Sequence, residues 1–178
     1  MFVSVPRQIA SRLKRTMHGP MWHGPSVCEA VGDLTATHAA SYPVQHAHSV
    51  WELTLHIAAW AEIVRARLCG TPWRTPSDVE DFPLPDATGG VEAWMAAQQR
   101  AIVAYESLAT EVMSRPAASL DDLVIHQTYT AVEMLHGVVE HGVYHAGQII
   151  LLRRIIQADA RRQPPNVGVT SRLWNRNA

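Results

Sequence analysis

The chain has 178 residues, 47% of them hydrophobic, with a formal net charge of −1 and a pI of about 6.8. That length suits one domain with a sizeable core, and that hydrophobic content excludes a disordered chain. The balanced charge excludes the basic footprint expected for a nucleic-acid partner or an anionic membrane surface.

The N-terminus begins with an amphipathic pattern. Ser4 is placed to cap a helix with Pro6 in its first turn, and Ile9, Leu13 and Met17 supply an apolar face. His18, Gly19 and Pro20 end or kink it. Pro25 and Ser26 then open a second segment with Val27, Cys28, Val31 and Leu34 inward, so the two pieces read as one kinked first arm. Residues 35–48 form a connection of small and polar residues.

Ser49 and Glu52 have capping-box spacing, and a second long helix runs from there to Leu68, where Gly70 and Pro72 stop it. Its inward stripe is Leu53, His56, Trp60 and Ile63 or Val64. Arg65 and Arg67 fall near its carbonyl end, where cations are favoured. Residues 71–90 hold four prolines, two glycines and four acidic residues, and read as a long loop between helices 2 and 3. Such a loop serves either as a functional edge or as a solvated crossover.

Val91–Ser114 is the third long helix, with Trp94, Ala97, Ala101, Ala104, Leu108 and Val112 at helical spacing and no titratable group on that stripe. A connection over 117–129 leaves room for a short extended piece at 124–129. The fourth long helix is expected over Ala131–Ile156. The core then spans about 5–157 of a single domain covering 1–178, with an irregular tail over 158–178 from which Leu173 and Trp174 can dock. Four amphipathic arms in this length indicate an all-α four-helix bundle.

The fourth helix carries the chemistry. Met134, Val138, His141, His145, Gln148 and Leu152 lie on one stripe that is apolar at its ends and polar in its middle. Imidazoles are costly to bury without partners. The bland explanation is a pair of core histidines bonded to backbone or water. The sharper one is a metal, because histidines at i and i+4 place both rings within reach of one ion.

His56, inward on the second arm, supplies a third imidazole. Three neutral nitrogen donors suit Zn, Ni, Cu, Co or Fe and do not suit Mg or Ca. Glu52, one turn before His56, and Gln148, one turn after His145, are candidates to orient a ring or a bound water, and His23 is a further candidate polar group near the site. Glu52 also has the plainer role of a cap.

The sequence contains no HExxH, GxGxxG, P-loop or GxSxG pattern, and HGVVEH at 136–141 is one residue too long for HxxEH. Trp51, Trp60 and Trp94 are read as core aromatics, with the wall of a pocket as the alternative role. Cys28 and Cys69 have no CxxC or zinc-finger spacing; two buried free thiols in a reducing cytoplasm are expected. Neither a signal peptide nor a run of 18 apolar residues is found, so no membrane partner is expected.

HSVWELTLHIAAWAEIVRARLCG at 48–70 and LHGVVEHGVYHAGQIILLRR at 135–154 resemble the DinB-like damage-inducible family, within the superfamily that also holds bacillithiol- and mycothiol-linked transferases. WHGPS at 22–26 is similar to a variant in that family. The resemblance covers about Val5 to Arg154. It implies an up-down-down-up four-helix bundle, frequent homodimers, and a divalent metal, usually Ni or Zn, on positions matching His56, His141 and His145.

Some members of the family are metal-dependent thiol S-transferases that join a low-molecular-weight thiol to an electrophile in detoxification, others are thiol-dependent maleylpyruvate isomerases, and many have no assigned reaction. The expectation is therefore a metal-dependent thiol S-transferase acting on a small molecule. A non-catalytic metal-binding stress-response bundle and a metal-dependent hydrolase are the alternatives.

Overall fold

The computed structural model describes residues 3–162, so Leu173 and Trp174 lie outside the described residues. Those residues form α1 (Val5–His18), α2 (Val27–Val31), α3 (Ala36–Ala40), α4 (Val50–Leu68), α5 (Asp78–Asp81), α6 (Gly90–Ser114) and α7 (Ala131–Arg162), with 3-10 turns at Ala87–Gly89 and Ala117–Leu120. The architecture is all-helical, and no strand occurs among the described residues. No helix there is long and apolar enough to cross a membrane.

Local chemistry accounts for the boundaries. Ser4 precedes α1, and the Gly19 N–H returns to the Arg15 carbonyl at its end. Ser26 and Glu29 cap α2 reciprocally, Thr35 accepts from the His38 N–H to open α3, and Ser49 and Glu52 cap α4. The short α3 lies where a plain connection was expected. Thr130 and Glu133 form another box at the start of α7, one not singled out from the sequence.

The segment at 124–129 is a turn, with one isolated bridge pairing Leu123 and Thr130 and His126 at positive φ. Helix α7 runs on to Arg162 rather than stopping at Ile156. Residues 157–162 contain no glycine or proline, so nothing in them breaks the ladder.

Packing centres on α4. Twelve of its nineteen residues are buried, and it lies between α6 and α7, while α1 contacts the same two helices. Trp51 of α4 meets Trp94 of α6 at 5.4 Å, and the Trp94 indole donates to the Leu34 carbonyl.

Tyr105 of α6 is fully buried beside the alanine stripe, a titratable group the stripe was not expected to carry. Its hydroxyl donates to the Val138 carbonyl of α7. That reach depends on Gly142, where a Cβ would collide with the Tyr105 hydroxyl and lie 2.8 Å from Thr16 Cγ2. Three helices therefore converge on the residue next to His141. Cys28 and Cys69 are both free, but neither is buried as expected: Cys28 is half-buried and Cys69, at the end of α4, is exposed.

Candidate metal centre

His56 of α4 and His141 and His145 of α7 come together, with one ring nitrogen from each lying within 4.8 Å of the others. The Nε2 atoms of His56 and His141 are 2.9 Å apart, and those of His141 and His145 are 3.1 Å apart. His56 and His145 are 5% and 7% exposed. The α4 and α7 stripes face each other across their contact, so the i,i+4 pair on α7 meets the single ring on α4.

The far side fixes the proton of two of the three rings. His56 Nδ1 lies 2.6 Å from the Asp81 carbonyl oxygen, which only accepts, so Nδ1 donates and Nε2 keeps its lone pair. His145 Nδ1 donates to Gln148 Oε1 at 2.7 Å, with the same result. His141 Nε2 faces both lone pairs, and its Nδ1 is buried without a hydrogen-bond partner.

One proton on His141 Nε2 can satisfy one neighbour and not both. A second proton on that ring is opposed by burial first and by His145 and His56 next, which together lower its pKa to about 3. Burial likewise lowers the pKa of His56 and His145.

The lone pairs of His56 and His145 therefore converge on His141 Nε2, and with the His141 proton on its other nitrogen all three would face one point, an arrangement a cation relieves. Two imidazole nitrogens on a common ion at ordinary bond lengths lie about 2.9–3.4 Å apart; two of the three pairs, at 2.9 and 3.1 Å, fit that range, and all three nitrogens lie within 4.8 Å of one another. The donor set and spacing fit a divalent transition metal.

The loop between α4 and α6 builds one wall. Asp81 presents its carbonyl to His56, while its carboxylate Oδ1 lies 3.3 Å from His56 Nδ1 and accepts from the Trp60 indole at 2.7 Å. Phe82 lies between two imidazoles, stacked 3.9 Å from His56 and 3.8 Å from His48. Sequence reading marked the loop as a possible functional edge but did not single out Asp81 or Phe82. Its acids and aromatics have no periodicity that would say which of them turns inward.

Gln148 sits on His145 as described. Glu52 does not reach His56: its carboxylate is held by the Ser49 N–H and the Tyr42 hydroxyl, and His48 lies 3.5 Å away. His23 is exposed and lines a separate cavity with Arg12, Met21 and Val143, apart from the three histidines.

The histidines line a cavity of about 560 Å³, the size of a small-molecule site. Trp60, Val64, Met134 and Val138 give it apolar walls, and Arg67, Asp81, Tyr129 and Glu133 add polar groups. Trp60 is thus part of a pocket wall rather than plain core. Arg67, expected to serve the exposed carbonyl end of α4, is 8% exposed and turns into this cavity.

Helices carrying three convergent imidazoles beside a ligand-sized cavity define an all-helical protein with a centre able to bind a metal ion. The chain belongs to the DinB superfamily, whose family model matches residues 21–149. No curated protein and no solved structure matches the chain.

Proposed function

We propose that the chain is a metal-dependent thiol S-transferase or a related detoxification enzyme, in which His56, His141 and His145 hold a divalent ion, Ni or Zn. The observation that carries the reading is the convergence of three imidazole nitrogens on the wall of a 560 Å³ cavity. An ion that only cross-linked two helices would have no need of that space. Membership of the DinB superfamily supports the same ligand set and a single domain. The contacts of α1, α4, α6 and α7 in the order α1–α6–α4–α7 suit an up-down-down-up four-helix bundle, with the long loop between α4 and α6 joining two parallel neighbours.

When bound, the ion supplies Lewis acidity that favours the thiolate form of a thiol at neutral pH. The chain's own residues set up that chemistry. The Asp81 carbonyl and Gln148 Oε1 hold the protons of His56 and His145 on Nδ1, leaving Nε2 free to donate its lone pair. Phe82 and Trp60 fix the plane of His56 and shield it from water. Val64, Met134 and Val138 keep the cavity apolar, which strengthens charge interactions inside it. The family resemblance supports a homodimer and a role in stress, and two free cysteines suit a reducing cytoplasm.

The test is thioether formation from a panel of low-molecular-weight thiols and 1-chloro-2,4-dinitrobenzene, in metal-loaded and chelator-treated protein. In that reaction the sulfur bonds to the ring carbon, chloride leaves and the thiol proton goes to solvent. Turnover that needs both metal and a particular thiol is expected. Equal rates with and without metal for every thiol would refute the activity.

A further inference from the structure

We infer that Arg67 is the anion anchor of this cavity and that the ligand it takes is an amphipathic carboxylate: an apolar body with its acid group on Arg67 and its other end toward the three histidines. This deepens the reading of the cavity as a ligand site and rests on it. Three charged side chains line the space, and two of them are already engaged. The Asp81 carboxylate takes the Trp60 indole, and the Glu133 carboxylate takes the N–H and hydroxyl of Thr130.

Arg67 differs. It is 8% exposed, and among the described residues no carboxylate oxygen lies within 4.0 Å of it. Its partners are neutral: the Arg74 carbonyl at 3.2 Å from Nη2, the Tyr129 hydroxyl, and the faces of Trp60 and Trp73, each centred 5.6 Å from the guanidinium carbon. A guanidinium stays charged under all ordinary conditions, and a buried charge without a counterion is costly. Five N–H donors with one carbonyl and one hydroxyl between them leave donors of the planar fork available to a carboxylate.

The position also fits. Arg67 lies eleven residues beyond His56 on α4, which returns it to nearly the same face. Its side chain turns back over Trp60, the direction a helical side chain favours. Legs of 5.6 Å from guanidinium to Trp60 ring and 5.7 Å from that ring to His141 put the charge within about 11 Å of the His141 ring. A bicyclic or short-chain acid spans that gap, with Trp60, Met134 and Val138 along its apolar flank. Arg74, whose carbonyl Arg67 meets, has its guanidinium taken by Glu80, and Arg67 is the one Lys or Arg among the described residues lining this cavity.

The test compares naphthalene-2-carboxylate with naphthalene-2-carboxamide by calorimetry, on zinc-loaded and on chelator-treated protein, for wild type, R67M, R67K and H145A. The acid is expected to bind wild type about tenfold or more tighter than the amide, the scale of a hydrogen-bonded charge pair. That preference persists without metal and in H145A, and falls to about one in R67M. If R67M does not fold, R67K decides: it keeps a reduced preference if the acid sits on residue 67, and an unchanged one if the acid is held elsewhere.

Three results overturn the proposal: no acid preference in wild type, a preference that survives R67M, or one present only with metal and lost in H145A, which would place the acid on the ion. Lowered thermal stability of R67M with an unchanged preference would make Arg67 a brace for the loop and likewise overturn it. The metal-free arm reads the anchor even if the metal reading fails, and loss of metal binding in H145A reads the metal site even if the anchor fails.

Discussion

Gln148 is the one side chain that holds a proton in place at the centre and can be removed without touching a histidine. Its Oε1 accepts from His145 Nδ1 at 2.7 Å, whereas the equivalent partner of His56 is a backbone carbonyl. In Gln148→Ala the His145 ring loses the acceptor that keeps its proton off Nε2. The ring then samples the tautomer that cannot bind metal, and it rotates more freely. The lost bond is neutral and half-buried, so its net worth is about 1 kcal/mol.

Outer partners of metal-bound histidines change affinity by about 10- to 100-fold. The overlap of these two figures is a loss near tenfold. Gln148→Glu keeps the acceptor and makes it anionic, so it restores affinity to at least the wild-type level. Zinc affinity measured by competition with a chromophoric chelator at neutral pH reads the effect, with thermal unfolding as a check that the fold is intact. Gln148→Ala within twofold of wild type, or Ala and Glu variants equally weakened, would refute the tautomer argument.

Three further outcomes are expected. Gly142→Ala forces a methyl group against Tyr105 and Thr16, and chemical denaturation should show a loss of about 1–3 kcal/mol. In metal-free protein the three histidines are neutral when folded and take up protons when unfolded below about pH 6.5. Their stabilising contribution is therefore full above that pH and is lost as pH falls, at about 1.4 kcal/mol per pH unit for each ring that stays neutral; denaturation midpoints that stay flat from pH 7 to 5 would contradict this. Phe82→Ala removes two ring stacks worth about 0.5–1.5 kcal/mol each, and hydrogen exchange of residues 78–82 should speed up while that of α6 does not change.

The sequence was most legible where local signals and periodicity coincide. Ser49 with Glu52 marked the start of α4, and the 4-3-4 spacing on α7 placed His141, His145 and Gln148 on one face. His56 joined them because it breaks an otherwise apolar stripe. What could not be read depends on tertiary packing. Asp81 and Phe82 belong to an aperiodic loop, and their direction is set by contacts with His56 and His48 that leave no mark in the local sequence. Arg67 has the position of a dipole-complementing surface cation, yet its long side chain folds back between two tryptophans. Glu52 shows the opposite case: its cap geometry uses the carboxylate and leaves nothing for the neighbouring imidazole.

The central claim is that three histidines hold one metal ion. Elemental analysis of protein purified without a histidine tag, beside the His56→Ala and His141→Ala variants, tests it most directly. The account predicts close to one transition-metal ion per chain in the wild type and loss in both variants. No metal in the wild type after adding Zn or Ni, or full metal content in both variants, would contradict it.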